Sequence, residues 1–146
     1  DFANASIEEI YGEDLVDAYE RKVTSFESII LINKGENKFE IEKLPPLAQS
    51  IPILTSDSYD INDDGYEDVI VGGNIYNTEV ETPRLDNQFA IILISDKNKN
   101  YSTIGPDKSG LYLSGNTKSL KIIDRKNPKL LVANNNSNLE VFELNK

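Results

Sequence analysis

Residues 60–74 read D-I-N-D-D-G-Y-E-D-V-I-V-G-G-N, and two signals are fused in them. Asp60, Asn62 and Asp64 carry side-chain oxygens at alternate positions, Gly65 takes the sixth place and Asp68 the ninth. Val69, Ile70 and Val71 follow at once, a β-branched run with the composition of a half-buried or buried strand. Alternate oxygen-bearing side chains on a curving backbone can be aimed at one centre. Glycine permits the sharp turn, and Tyr66 at position seven offers its main-chain carbonyl. Such a shell of oxygens suits Ca2+, with water or a bidentate Asp68 completing the coordination, whereas Mg2+ keeps too much of its own water for a protein cage. The simpler alternative is a solvated acidic turn between strands, but three carboxylates crowded without a cation repel one another. An EF-hand would need a glutamate at position twelve and helices on both sides; here that position is Val71 and strands flank the loop. Asp63 and Glu67 are expected to point to solvent.

Outward from this loop, the chain from Val23 onward alternates short β-branched runs with turns rich in Asn, Asp, Gly and Lys, the pattern of an all-β fold. Nine strands are expected: FESIILIN (26–33), NKFEIEKL (37–44), SIPILTSDSY (50–59), EDVIVGGN (67–74), QFAIILIS (88–95), NYSTIG (100–105), SLKIIDR (119–125), PKLLVANN (128–135) and LEVFELN (139–145). Ahead of them, residues 5–20 read as a helix. Ser6 and Glu9 form a capping box, and Ile7, Ile10, Tyr11, Leu15, Ala18 and Tyr19 fall on one face, with Gly12 weakening the middle.

The strands repeat. SIILINKGENKF (28–39) lies over AIILISDKNKNY (90–101) at an offset of 101 − 39 = 62, and EDVIVGGN lies over PKLLVANN at 128 − 67 = 61. LEVFELN would begin a third unit. Four-stranded units in series suggest β-propeller blades, yet a ring takes roughly four to eight of them. The expected organisation is therefore a helical segment over 1–22, a blade-like repeat with the acidic loop over 23–85, and a degenerate second repeat with the terminal strand over 86–146, an incomplete propeller.

D-I-N-D-D-G-Y-E-D-V-I-V-G-G-N resembles the calcium loop of FG-GAP/VCBS repeats, the blades of integrin-alpha-like β-propellers. SIILINKGENKFEIEKLPPLAQ is similar to that family's strand, N-x-G-x-x-x-F turn and L-P entry to the calcium strand. NIYNTEVETPRLDNQFAIILIS and IEEIYGEDLVDAY resemble segments of large bacterial VCBS-repeat proteins that follow and precede such blades. The resemblance spans nearly the whole chain. It implies a propeller-blade fold with structural Ca2+ on Asp60, Asn62, Asp64, the Tyr66 carbonyl and Asp68. It also implies a secreted, periplasmic or surface-attached binding or scaffold module that recognises a protein or glycan. One departure is plain: at the 62 offset the second unit places Ile122, Asp124, Lys126, Pro128 and Leu130 at the ligand positions, so one ion site is expected and not two.

Composition narrows the alternatives. A net charge of −10 argues against nucleic acid or an anionic membrane as partner. No cysteine and no histidine are present, which removes the usual ligands and nucleophiles of zinc, thiol and imidazole chemistry. No apolar run approaches the ~20 residues of a membrane helix. The absence of methionine suggests a processed product or a piece of a longer chain, so its partners would be the remaining blades or further copies in a homo-oligomer. Among 25 acids no pair is singled out for catalysis. Glu79, Glu81, Arg84 and Asp86 in the long 75–87 loop read either as a recognition surface or, more simply, as a self-pinned ion-paired loop. Two other functional classes remain: an accessory domain of a secreted carbohydrate-active enzyme, and a subunit that self-assembles through open strand edges.

Overall fold

The computed structural model describes residues 2–145 and contains nine strands: β1 Ile29–Gly35, β2 Lys38–Lys43, β3 Thr55–Tyr59, β4 Asp68–Gly72, β5 Ile91–Ser95, β6 Tyr101–Ile104, β7 Thr117–Ile123, β8 Lys129–Asn134 and β9 Glu140–Glu143. Each lies inside or across one of the expected runs. They form three antiparallel sheets, ordered β1-β2, β3-β4-β5-β6 and β7-β8-β9; among the described residues none closes on itself. The fold is mostly β.

Side-chain alternation explains why the sheets stack. In β4 and β5, Ile70 and Ile92 point one way; Val69, Val71, Ile91 and Leu93 point the other. The first pair packs with Tyr59 and Ile94 against Leu120, Ile122, Leu130 and Val132 of the third sheet. The second group packs against Ile30, Leu44, Ala48 and Ile51 from the first sheet and the 3-10 turn Pro46–Ser50 that follows it. The middle sheet is thus buried on both faces, as the unbroken apolar run of β5 requires.

The sequence repeat and the sheets are out of phase by two strands. A repeat runs β1 to β4 or β5 to β8, but a sheet joins the last two strands of one repeat to the first two of the next. β9 accordingly opens a third repeat in sequence while pairing with β8 in space, Leu131 opposite Val141. The middle sheet therefore draws strands from both sides of residue 85.

The N-terminal helix is shorter than its sequence signal. The capping box forms, with the Ser6 amide donating to Glu9 Oε2 at 2.8 Å and the Glu9 amide to Ser6 Oγ at 3.2 Å. The α-helix α1 ends at Tyr11, where Gly12 adopts φ 49°, and only a 3-10 turn over Gly12–Leu15 continues it. Ile7, Ile10, Tyr11 and Tyr19 remain exposed. An apolar face with nothing to pack on cannot extend a helix, because most helical stability in proteins comes from tertiary contact. A second short helix, α2 at Pro106–Ser109, was not signalled by periodicity and is closed by Gly110 in the left-handed conformation.

The seam between the second and third sheets is polar at its strand edges. The Leu120 and Ile122 amides of β7 donate to Thr55 Oγ1 at 3.0 Å and Asp57 Oδ2 at 2.6 Å of β3, and Lys121 Nζ reaches Asp57 Oδ1 at 2.9 Å. Burial pushes the Asp57 carboxyl up, but the Ile122 amide and the Lys121 ammonium outweigh it and hold the group below its ordinary value. Asp57→Ala is expected to lose on the order of 1–3 kcal/mol in urea unfolding at neutral pH, because the Ile122 amide is left without its acceptor. The sign of the pH dependence follows from the lowered folded-state pKa. The contribution is present above the unfolded carboxyl pKa and is lost as pH falls through the folded value, so wild type and variant converge in acid. A gap that ignores pH would mean that the carboxylate is not its source.

Candidate metal centre in the 60–68 loop

The loop joins β3 to β4 and folds on its own side chains. Asp60 accepts from the amides of Asp64 (3.1 Å) and Gly65 (2.9 Å). Asn62 Oδ1 also accepts from the Asp64 amide at 3.1 Å, and its Nδ2 donates to Asp64 Oδ2 at 2.9 Å. Asp64 Oδ1 takes the Tyr66 amide at 2.9 Å. Two residues turn left-handed to allow this, Asp63 at φ 58° and Gly65 at φ 88°. Any side chain at position 65 would be strained by that backbone, which is the conformational reason for glycine there.

Asp68 is the loop's anchor. It is fully buried, and its two oxygens accept from the Ile61 amide at 3.0 Å and the Ser95 amide at 2.9 Å. One carboxylate thus fixes the start of the loop to its end and to β5. Ser95 Oγ adds a bond to the Glu67 carbonyl at 2.9 Å.

The five expected ligands do not all stand alike. Asp60, Asn62 and Asp64 are joined to one another through the turn they cap, Tyr66 follows on the same turn, and Asp68 lies under Ile61. Asp60, Asn62 and Asp64 spend their oxygens on the loop's own amides. Among the described residues no three Asp, Glu, His or Cys side chains are gathered into a cation-holding group. The donor chemistry fits a hard cation, since every candidate atom is oxygen and carboxylate dominates. Asp63 is exposed, as the alternation requires. Glu67 is exposed too, and it is held by neighbours from outside the loop. Ser58 Oγ bonds it, and Arg125 Nη1 pairs with its Oε1 at 2.9 Å while Nη2 reaches the Ser58 carbonyl at 3.2 Å. The Ser58 hydroxyl and the Arg125 guanidinium hold Glu67 below the usual carboxylate range.

In the third sheet the matching connection, 124–128, is shorter and carries no acidic series. Asp124, at φ 48°, caps the Lys126 and Asn127 amides at 3.3 and 3.4 Å. In the 75–87 loop Arg84 pairs with Asp86 at 2.8 Å and lies over the Tyr76 ring at 4.6 Å, and Ile75 bridges Leu85.

Three residues that position the loop and its sheet escaped sequence reading. Ser95 and Arg125 hold the loop stem from β5 and from the turn after β7. Asn74 is fully buried beyond β4; its Nδ2 donates to the Leu113 and Gly115 carbonyls at 3.2 and 2.6 Å, and Lys118 Nζ donates to its carbonyl at 2.8 Å. Only Asn74 had a local signal, the polar residue closing the apolar V-I-V-G-G run. Comparison with protein-family models, with curated proteins and with solved structures finds no match.

Two substitutions separate scaffold from ion. In EDTA, Asp68→Ala is expected to cost on the order of 2 kcal/mol or more, since two amides lose a common acceptor. Asp64→Ala, at an exposed turn, is expected to cost under about 1 kcal/mol under the same conditions. Equal losses in chemical unfolding would place Asp64 in the scaffold as well.

Proposed function

We propose that the chain is a calcium-stabilised β-repeat module of FG-GAP/VCBS type, built from propeller-type blades, working outside the cytoplasm as a binding or scaffold element for a protein or glycan. The observation that carries the reading is the loop itself. Asp60, Asn62 and Asp64 share one Gly65-centred turn, and that turn closes over the buried carboxylate of Asp68. Ca2+ would be held by Asp60, Asn62, Asp64, the Tyr66 carbonyl and Asp68. The ion would supply charge neutralisation and rigidity, not catalysis. The layering gives further support: a four-stranded antiparallel meander with a partner sheet on each face is how blades are stacked.

The recognition surface would lie beside the loop. A groove of about 340 Å3 between the first two sheets is lined there by Tyr66, Tyr101, Asn33, Asp96 and Lys99. Two tyrosines with an amide, an acid and an ammonium offer both a stacking face and hydrogen-bonding groups, the chemistry a glycan or a polar peptide needs.

The test is thermal unfolding, first in EDTA and then with added Ca2+. At about a hundred times its dissociation constant the ion should add ~2.7 kcal/mol, seen as a clear rise in Tm that Asp64→Ala abolishes. No rise in the metal-stripped wild type, or an equal rise in the variant, would reduce 60–68 to an acidic turn and remove the calcium reading.

A further inference from the structure

We propose that copies of this chain associate head to tail, the outward face of the third sheet of one copy packing on the outward face of the first sheet of the next. The inference rests on the blade-type layering and is independent of the calcium loop.

Repeat equivalence carries the argument. The outer face of the first sheet, and part of that of the third, bears the same kind of residue that the middle sheet buries. At the 62 offset, Ile29 and Leu31 of β1 correspond to Ile91 and Leu93 of β5. The β5 pair is 0% and 1% exposed because the first sheet covers it; the β1 pair is 43% and 56% exposed. Phe39, equivalent to the half-buried Tyr101, is bare as well. Ile41, opposite Leu31, extends the patch.

The far end shows the same relation in part. In the middle sheet Tyr59, Ile70 and Ile92 face the third sheet and are buried. By strand pairing their counterparts in the third sheet are Ile123, Leu131 and Val141. Tyr59 opposite Asp68 matches Ile123 opposite Lys129, and Ile70 opposite Ile92 matches Leu131 opposite Val141. Val141 is 54% exposed where Ile92 is 7% exposed.

The occupant follows from continuity with the interfaces already present. Within one chain the front of sheet one packs on the back of sheet two, and the front of sheet two on the back of sheet three. The uncovered surfaces are the remaining back, on sheet one, and the remaining front, on sheet three. A second copy supplies the missing half of each in the same front-to-back sense. The back of sheet one is the more apolar of the two surfaces; on the front of sheet three Lys121, Lys129 and Glu143 stand among Ile123, Leu131 and Val141. Because the two surfaces differ, the contact is heterologous and propagates until a ring closes or a filament forms.

Exposed positions provide the test, so folding is little affected. Wild type, Leu31→Glu and Val141→Glu are compared by sedimentation velocity and light scattering across a micromolar to submillimolar range, with circular dichroism to check the fold. Wild type is expected to grow beyond a dimer with concentration. Each variant alone is expected to be monomeric, since every copy lacks the same surface. Their equimolar mixture is expected to form a dimer and stop, because one variant keeps its front and the other its back. A second pair, Ile41→Glu with Leu139→Glu, repeats the cross should either first variant misfold; Leu139, 59% exposed, precedes β9 two residues before Val141. A wild type that stays monomeric throughout would overturn the proposal and leave the faces to a different partner or to further layers. Dimerisation of either variant alone would overturn it in favour of a symmetric contact, and a mixture that stays monomeric would exclude the head-to-tail pairing. None of these outcomes changes with EDTA if the calcium reading alone is wrong.

Discussion

Burial of the middle sheet on both faces is the constraint from which the rest of the molecule follows. β5 reads Ile-Ile-Leu-Ile without a polar interruption, so whichever way its side chains alternate, both sides of the sheet need a cover. The first and third sheets provide it, each with one apolar face turned inward. This is a one-dimensional solution. A layer is stabilised by its neighbours, and adding a layer moves the uncovered face outward without removing it. The first sheet accordingly carries apolar side chains, Ile29 and Leu31, on its uncovered face, and the third sheet carries Val141 on its own.

Much of the fold was legible because the relevant signals are short-ranged. Alternating or continuous β-branched runs marked all nine strands, and the turns between them are spelled by Asn, Asp and Gly; Glu36 and Asn37 in the β1–β2 turn, for example, take the left-handed conformation. The acidic loop was legible for the same reason, since Asp60, Asn62, Asp64 and Gly65 act on one another within a few residues. The phase of the sheets was not legible. Whether β4 shares a sheet with β3 alone or also with β5 depends on a pairing across the long 75–87 loop, and no local periodicity encodes it. The ties that fix the site were hidden likewise: Arg125 to Glu67, Asp57 to Ile122 and Asn74 to Gly115 each join residues far apart in sequence. A lone serine at the end of β5 gives no hint that its amide caps the carboxylate of Asp68.

The acidic balance of the chain hides two kinds of carboxylate. Asp57 and Asp68 are withdrawn from solvent and accept main-chain amides at strand edges and loop stems, where a strand would otherwise leave donors unpaired. Asp60 and Asp64 cap a turn near the surface, and Glu67 pairs with Arg125 in the open, where such a pair contributes little. The first kind ties strands and sheets to one another. The same stretch of sequence therefore does two things at once: its ninth residue locks β4 to β5, while the first, third and fifth cap the turn at the rim.

The helix and the outer faces are unfinished for one reason. At the start of α1 the local requirements are met: the capping box is closed, Glu8 and Glu9 stand at the positive end of the helix, and the apolar spacing is correct, whereas Gly12 breaks the run. The helix stops after Tyr11, where Gly12 takes φ 49° and no tertiary contact offsets the break. In β1 and β9 the opposite order applies. Pairing with β2 and β8 fixes the strands, and the apolar side chains Leu31 and Val141 are left facing water. A helix cannot persist without a surface, whereas a paired strand can. The outer sheets consequently present ordered apolar side chains to water, mixed with charged ones on the third sheet, and order before contact is what lets a surface bind without first losing conformational entropy.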